Sequence, residues 1–115
     1  MAEQTTQQIT QEYDITRLAS SIAWAETHDC TKGYGKEYNN CFGIKSGNTA
    51  PCTKVGRNNM CIYDTPEESY EAFKKIWSTW YKKFPNTTLA KRWTGGDRHN
   101  IWLASVKDKY EELGK

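Results

Sequence analysis

Apolar side chains recur at Ile15, Leu18, Ala19 and Ile22, the i, i+3, i+4, i+7 spacing of one helical stripe. The pattern predicts a helix from Thr10 or Asp14 to Thr27. The polar residues 1–9 before it are expected to form a flexible N-terminal segment, leaving 10–115 as a single domain. Between 28 and 60 the period is lost and Gly, Asn, Lys and Cys dominate. Short strands are expected there at Phe42–Lys45 and Met60–Tyr63, bounded by turn residues. A second helix starts at Thr65-Pro66-Glu67-Glu68: Thr65 suits the N-cap, Pro66 the first helical position, and Glu68 closes a capping box. Tyr70, Phe73, Trp77, Tyr81 and Phe84 follow at helical spacing, and Pro85 ends the run. A short helix over Thr87–Trp93 stops at Gly95-Gly96. A last helix runs from Arg98 to Leu113, with Asp97 as its candidate cap and Trp102, Val106, Tyr110 and Leu113 as its stripe. The fold class is α+β, mainly α, with a small β-lobe inserted after the first helix.

Composition narrows the function. A chain of 115 residues is one domain's worth, and five Trp supply a real core. Sixteen basic and fourteen acidic side chains leave a net charge of +2, too balanced to call for nucleic acid as a partner. No apolar run is long enough to span a bilayer. The four cysteines Cys30, Cys41, Cys52 and Cys61 contain no CxxC pair, and His28 and His99 do not complete a zinc-finger spacing. Neither a metal nor a cofactor is expected, and two disulfides are the better reading. The local pairs Cys30–Cys41 and Cys52–Cys61 are preferred, each worth roughly 3 kcal/mol in the loop-entropy view; a Cys41–Cys61 staple between strands is the alternative. Disulfides imply an extracytoplasmic location: secreted, periplasmic or at the cell surface. The opening MAEQTTQQIT has no apolar h-region and is not a signal peptide. A leader or membrane anchor is therefore expected outside this sequence, and the domain itself is expected to be a monomer.

Glu26 breaks the apolar pattern. It lies four residues after Ile22 and eleven after Ile15, which puts a carboxylate on the core-facing side near the helix end. Desolvation and the negative end of the helix dipole would both raise its pKa. A carboxyl that keeps its proton near neutral pH suits glycoside cleavage, where it donates that proton to the leaving oxygen. The plainer alternative is a frayed helix end with Glu26 paired to a nearby Lys or Arg.

Four segments resemble known domains. Ala23-Trp24-Ala25-Glu26-Thr27 resembles the catalytic-Glu segment of the lysozyme-like superfamily. Asn39-Asn40-Cys41-Phe42-Gly43-Ile44-Lys45 resembles the N-x-F-G-x-K segment of bacterial peptidoglycan glucosaminidase domains. Cys61-Ile62-Tyr63-Asp64 leading into Thr65–Tyr70 resembles their strand and helix start, and Arg92-Trp93-Thr94-Gly95-Gly96-Asp97 resembles their YATDP segment. The segments fall in the right order across about residues 15–110. The resemblance implies a lysozyme-like fold, cleavage of β-1,4 bonds in peptidoglycan glycan strands, and Glu26 as general acid. It implies a cleft wall from Asn40, Phe42 and Gly43, with Tyr63 on the neighbouring strand. Two departures matter. Ser46–Met60 contains no Asp or Glu, so a second carboxylate from that lobe is missing and Glu37 and Asp64 are the nearest candidates. Trp93 stands where the family has Tyr, and an indole has no hydroxyl.

If Glu26 acts alone, either the substrate's N-acetyl group or the 6-hydroxyl of a muramic acid must attack, the second giving an anhydro product. Trp24, Trp80, Trp93 and Trp102 are candidates to stack on sugars. Trp77 and Trp102 read better as core, whereas Trp93 beside Gly95-Gly96 is expected at a cleft. His28 and His99 read as bystanders. Residues 31–60 set five cations, Lys32, Lys36, Lys45, Lys54 and Arg57, against one acid, Glu37, and these either steer an anionic wall polymer or form an ordinary solvated surface. The remaining readings are a non-catalytic glycan-binding module on the same fold and a small disulfide-stapled interaction protein.

Overall fold

Asp14 caps the first helix, its carboxylate accepting the N–H groups of Thr16 at 3.0 Å and Arg17 at 3.1 Å. The helix, α1, covers Ile15–Thr27 and buries Leu18, Ala19 and Ile22 of the predicted stripe together with Ala23, while Ile15 is half-buried. The computed structural model describes residues 13–47 and 52–115, and the expected N-terminal segment and the Thr10 start lie outside them. At its end, His28 turns left-handed (φ 48°). The N–H of Asp29 reaches back to Ala23 O at 3.0 Å and that of His28 to Trp24 O at 3.0 Å, a Schellman closure without the usual glycine. Asp29 (φ 58°) and Cys30 (φ 71°) continue left-handed, so the chain reverses within three residues of Glu26.

Residues 28–60 hold a helix that the hydrophobic pattern did not predict. It is α2, Gly33–Tyr38, six residues long. Its apolar positions are too few for a stripe, and it is seated by close approach instead. A Cβ on Gly35 would lie 2.6 Å from Cys30 Cα and 2.9 Å from Thr27 Cβ. The expected strands shrink to isolated antiparallel bridges, Lys45 with Met60 and Val55 with Cys61 among the described residues. Buried Asn40 does the joining that a ladder would otherwise do. Its amide donates to Ile44 O at 2.9 Å and Cys61 O at 3.0 Å, and its carbonyl accepts Ile44 N–H at 3.0 Å. Both disulfides form in the local pairing, Cys30–Cys41 and Cys52–Cys61. The bonds fit an oxidising compartment. Among the described residues no helix is long and apolar enough to cross a membrane.

Thr65 caps the next helix, α3 (Pro66–Ile76), accepting Glu68 N–H at 3.2 Å. The Glu68 carboxylate reaches one residue further back than a capping box requires, to Asp64 N–H at 3.0 Å. The helix does not run to Pro85 as expected. It widens into a π-turn over Trp77–Tyr81 and stops at left-handed Lys82 (φ 70°). The wide turn lets Trp77 stack on Tyr81 at 4.2 Å, and the Trp77 indole closes on Lys83 O at 2.8 Å. Asn86 then caps α4 (Thr87–Thr94), which ends on Gly95 at φ 84°. The last helix, α5, covers His99–Leu113 and starts on Arg98 without a side-chain cap, so Asp97 is free of the capping role expected of it. The fold is mainly helical: α1 packs on α5, α5 on α4, and α3 closes over α1. A column of rings runs through the core, Phe42 on Phe73 at 4.5 Å and Phe73 on Trp77 at 5.5 Å.

Replacing Asn40 by Ala leaves the Ile44 N–H and the Cys61 carbonyl without this partner inside the core. Chemical denaturation should show a loss of about 2–4 kcal/mol, because orphaned buried polar groups keep their desolvation cost. A loss under roughly 0.5 kcal/mol, the scale of an ordinary surface change, would mean that the lobe does not hang on this side chain.

Candidate active site

Helix α1 delivers Glu26 one residue before its C-terminus, where the left-handed turn folds the lobe back over it. The Oε2 atom accepts two indole N–H groups, from Trp102 at 2.8 Å and Trp93 at 3.0 Å. One indole comes from α5 and the other from α4, so the carboxylate is where three helices meet. Trp102 is 7% exposed, and a buried indole N–H needs an acceptor. The Trp93 ring is fixed edge-on by Phe73, Trp77 and Tyr81, each at 5.6 Å between centroids. The aromatic column thus aims the donor.

The other oxygen is free. Among the described residues nothing hydrogen-bonds Oε1, and no buried polar side-chain atom lacks a partner, so Oε1 is open to solvent. It faces Gly43, whose left-handed backbone (φ 68°) brings no side chain over it; a Cβ there would lie 3.6 Å away. The opening is a cleft of about 930 Å³ lined by Glu26, Gly43, Tyr34, Tyr81, Trp93 and Trp102, with Asp97 and Arg98 also on its wall. Burial pushes the Glu26 carboxyl above its ordinary value. The Trp93 and Trp102 N–H groups and the more distant Arg98 charge pull it part of the way back. With both indoles donating to Oε2, Oε1, the atom that faces the cleft, is the oxygen left to carry a proton when the carboxyl is neutral. The site is therefore a positioned carboxyl group with one oxygen clamped and the other aimed outward.

The structure separates the other expected residues into two groups. Gly43 and Trp93 line the cleft beside Glu26. Asn40 and Phe42 are fully buried and form no cleft wall; one ties the lobe together, and the other packs between Phe73 and Tyr70. Tyr63 is half-buried away from the cleft, its backbone N–H on Tyr38 O at 2.9 Å. Neither second-acid candidate reaches the site. Glu37 is held by Arg57 at 2.6 Å and Asp64 by Lys54 at 3.0 Å, both on the surface. His28 stacks on Trp24 at 4.7 Å and His99 bonds Gly96 O at 2.7 Å, also outside the cleft. Trp80 is exposed on the π-turn and does not line the cleft.

Sequence reading missed Trp102 as a partner of Glu26 because it sits on the α5 core stripe. The signal was available: a Trp on an apolar stripe must find an acceptor, and Glu26 was the carboxylate on the facing stripe. Tyr81, Asp97 and Arg98 gave no such signal, because turn geometry at the ends of α3 and α4 places them. No protein-family model matches this chain, and no curated protein or solved structure matches it either.

The pH dependence has a definite sign. The folded chain holds a Glu26 proton that the unfolded chain has already released between the ordinary and the raised pKa. Stability relative to Glu26→Gln is therefore full below the ordinary value of 4.5 and falls as pH rises through the raised one. Trp102→Phe removes a donor that favours the charged form, so the Glu26 titration followed by carboxyl NMR should move further upward. A downward or absent shift would show that the indole does not hold Oε2.

Proposed function

We propose that this chain cleaves β-1,4 bonds of peptidoglycan glycan strands, with Glu26 as general acid and then general base, on a lysozyme-like arrangement of helices and lobe. The observation that carries this reading is the Glu26 carboxyl itself, desolvated, clamped on Oε2 by two indoles and open on Oε1 to a cleft. The Oε1–H donates to the glycosidic oxygen as the C1–O bond breaks, and the leaving sugar departs as an alcohol. The electron pair at C1 is then supplied either by the substrate's acetamido oxygen or by the 6-hydroxyl of the same muramic acid. In the first route the Glu26 carboxylate takes a proton from the water that opens the cyclic intermediate. In the second it takes the proton of the attacking 6-hydroxyl. Glu37 and Asp64, held in surface ion pairs, favour such one-acid routes over a mechanism that pairs Glu26 with either of them.

Digestion of purified peptidoglycan followed by mass spectrometry of the fragments tests this. Wild type should release fragments with anhydro-muramic or reducing ends, and Glu26→Gln should slow release by about 10²–10⁴-fold, the usual worth of a general acid. The terminal sugar then tells a glucosaminidase from a muramidase, and an anhydro end marks a lytic transglycosylase. Equal release by both proteins would remove Glu26 from the chemistry. Glycan retention without release by either would make the chain a glycan-binding module.

A further inference from the structure

The cleft carries more positive charge than its acid requires. Lys32 and Lys45 reach it from the lobe, and Arg92 and Arg98 from the junction of α4 and α5. Against these four cations the lining holds two carboxyl groups, Glu26 and Asp97. The lobe's other acids are occupied elsewhere, Glu37 by Arg57 and Asp64 by Lys54. Among the described residues none of the four forms an ion pair, and Arg92 does no more than lie over the Tyr81 ring at 5.0 Å. Two separate parts of the chain, the lobe and the α4–α5 junction, thus present unneutralised cations to one groove. A cleft built for a neutral sugar polymer has no use for them, and a protonated Glu26 adds no charge that would repel an anion.

We propose that the cleft selects a glycan carrying a free carboxylate on alternate sugars, which Lys32, Lys45, Arg92 and Arg98 bind. Within peptidoglycan that chemistry belongs to strands stripped of their stem peptides, where the lactyl group ends in a carboxylate rather than an amide. The inference rests on the glycan-strand reading above and narrows its substrate.

Binding is measured with Glu26→Gln, which prevents turnover, by calorimetry against four probes. These are a peptide-free muramyl oligosaccharide, the same oligosaccharide with its lactyl carboxylates converted to methylamides, a neutral N-acetylglucosamine oligomer of equal length, and a single-stranded oligonucleotide. The free-carboxylate strand should bind about tenfold tighter than its amidated form at low salt, the combined scale of a few exposed ion pairs. The gap should close near 1 M salt, where charges are screened beyond roughly 3 Å. Adding Lys32→Gln, Lys45→Gln and Arg92→Gln together should erase the gap, while Lys107→Gln, outside the cleft, should keep it. All are exposed positions, and circular dichroism verifies that the variants remain folded. Equal affinity for the charged and amidated strands overturns the selection but leaves glycan cleavage standing. An oligonucleotide bound as tightly as the charged strand overturns it in favour of a phosphate polymer. Failure to bind any of the three glycans removes the glycan-strand reading itself.

Discussion

The hydrogen bonds from Trp93 and Trp102 to one oxygen of Glu26 are the point on which both core and site depend. They join α1 to α4 and α5 at a place where each partner would otherwise be a cost. A carboxylate on an apolar face is expensive to bury unless it is bonded, and so is an indole N–H sealed inside a helical interface. Each satisfies the other. Because Oε2 is spent on the two indoles, Oε1 is left as the one outward-facing polar atom of the node. The packing requirement therefore decides which oxygen is available for chemistry. On the proposed reading of Glu26 as a general acid, the fold fixes the direction of its free oxygen in advance.

The lobe is held over this node by local strain that its surroundings maintain. His28, Asp29 and Cys30 are non-glycine residues in the left-handed region, each costing about 1–3 kcal/mol without support. All three are restrained from outside the turn. His28 stacks on Trp24, Asp29 accepts the Tyr70 hydroxyl, and Cys30 is bonded to Cys41. Thr27 adds a clamp, its hydroxyl donating to Cys41 O at 2.8 Å while accepting Cys30 N–H at 2.9 Å. The result is a reversal tight enough to set Gly43 opposite a carboxyl only seventeen residues earlier in the chain. A glycine at that spot keeps the acid uncovered, so the strained turn and the missing side chain serve the same opening.

Periodicity made the long elements legible. The α1 stripe, the Thr65 cap, the Gly95 stop and the extent of α5 all follow from spacing and end chemistry, because each depends on residues a few positions apart. Glu26 was legible for the same reason, as a charge on the wrong face of a regular helix. What was hidden depends on distant parts of the chain. Helix α2 has no stripe and exists because Gly35 packs against Thr27 and Cys30. The π-turn at Trp77–Tyr81 widens to stack rings that themselves orient Trp93. Asn40 and Phe42 look like a cleft wall in the sequence because they flank Gly43, yet a chain turning at a left-handed glycine sends its neighbours inward. Sequence proximity to a site residue does not carry over to site membership across such a turn.

The distribution of acids and cations follows from the same architecture. The lobe is too small for a core of its own, and it closes its outer surface with ion pairs from Glu37 to Arg57 and from Lys54 to Asp64. Those pairs use up the two carboxylates expected as a second acid. They leave Lys32 and Lys45 as the lobe's contribution to the cleft, which makes it basic just where a second acid was expected. On the glycan-strand reading, the two facts belong together. Among the described residues Asp97 is the one other carboxyl on the cleft wall, and neither of the lobe's expected second acids joins it. A basic groove suits a reaction in which the substrate brings its own nucleophile and its own negative charge. On that reading, four cations against two carboxyl groups in the cleft suit a polymer that is itself anionic.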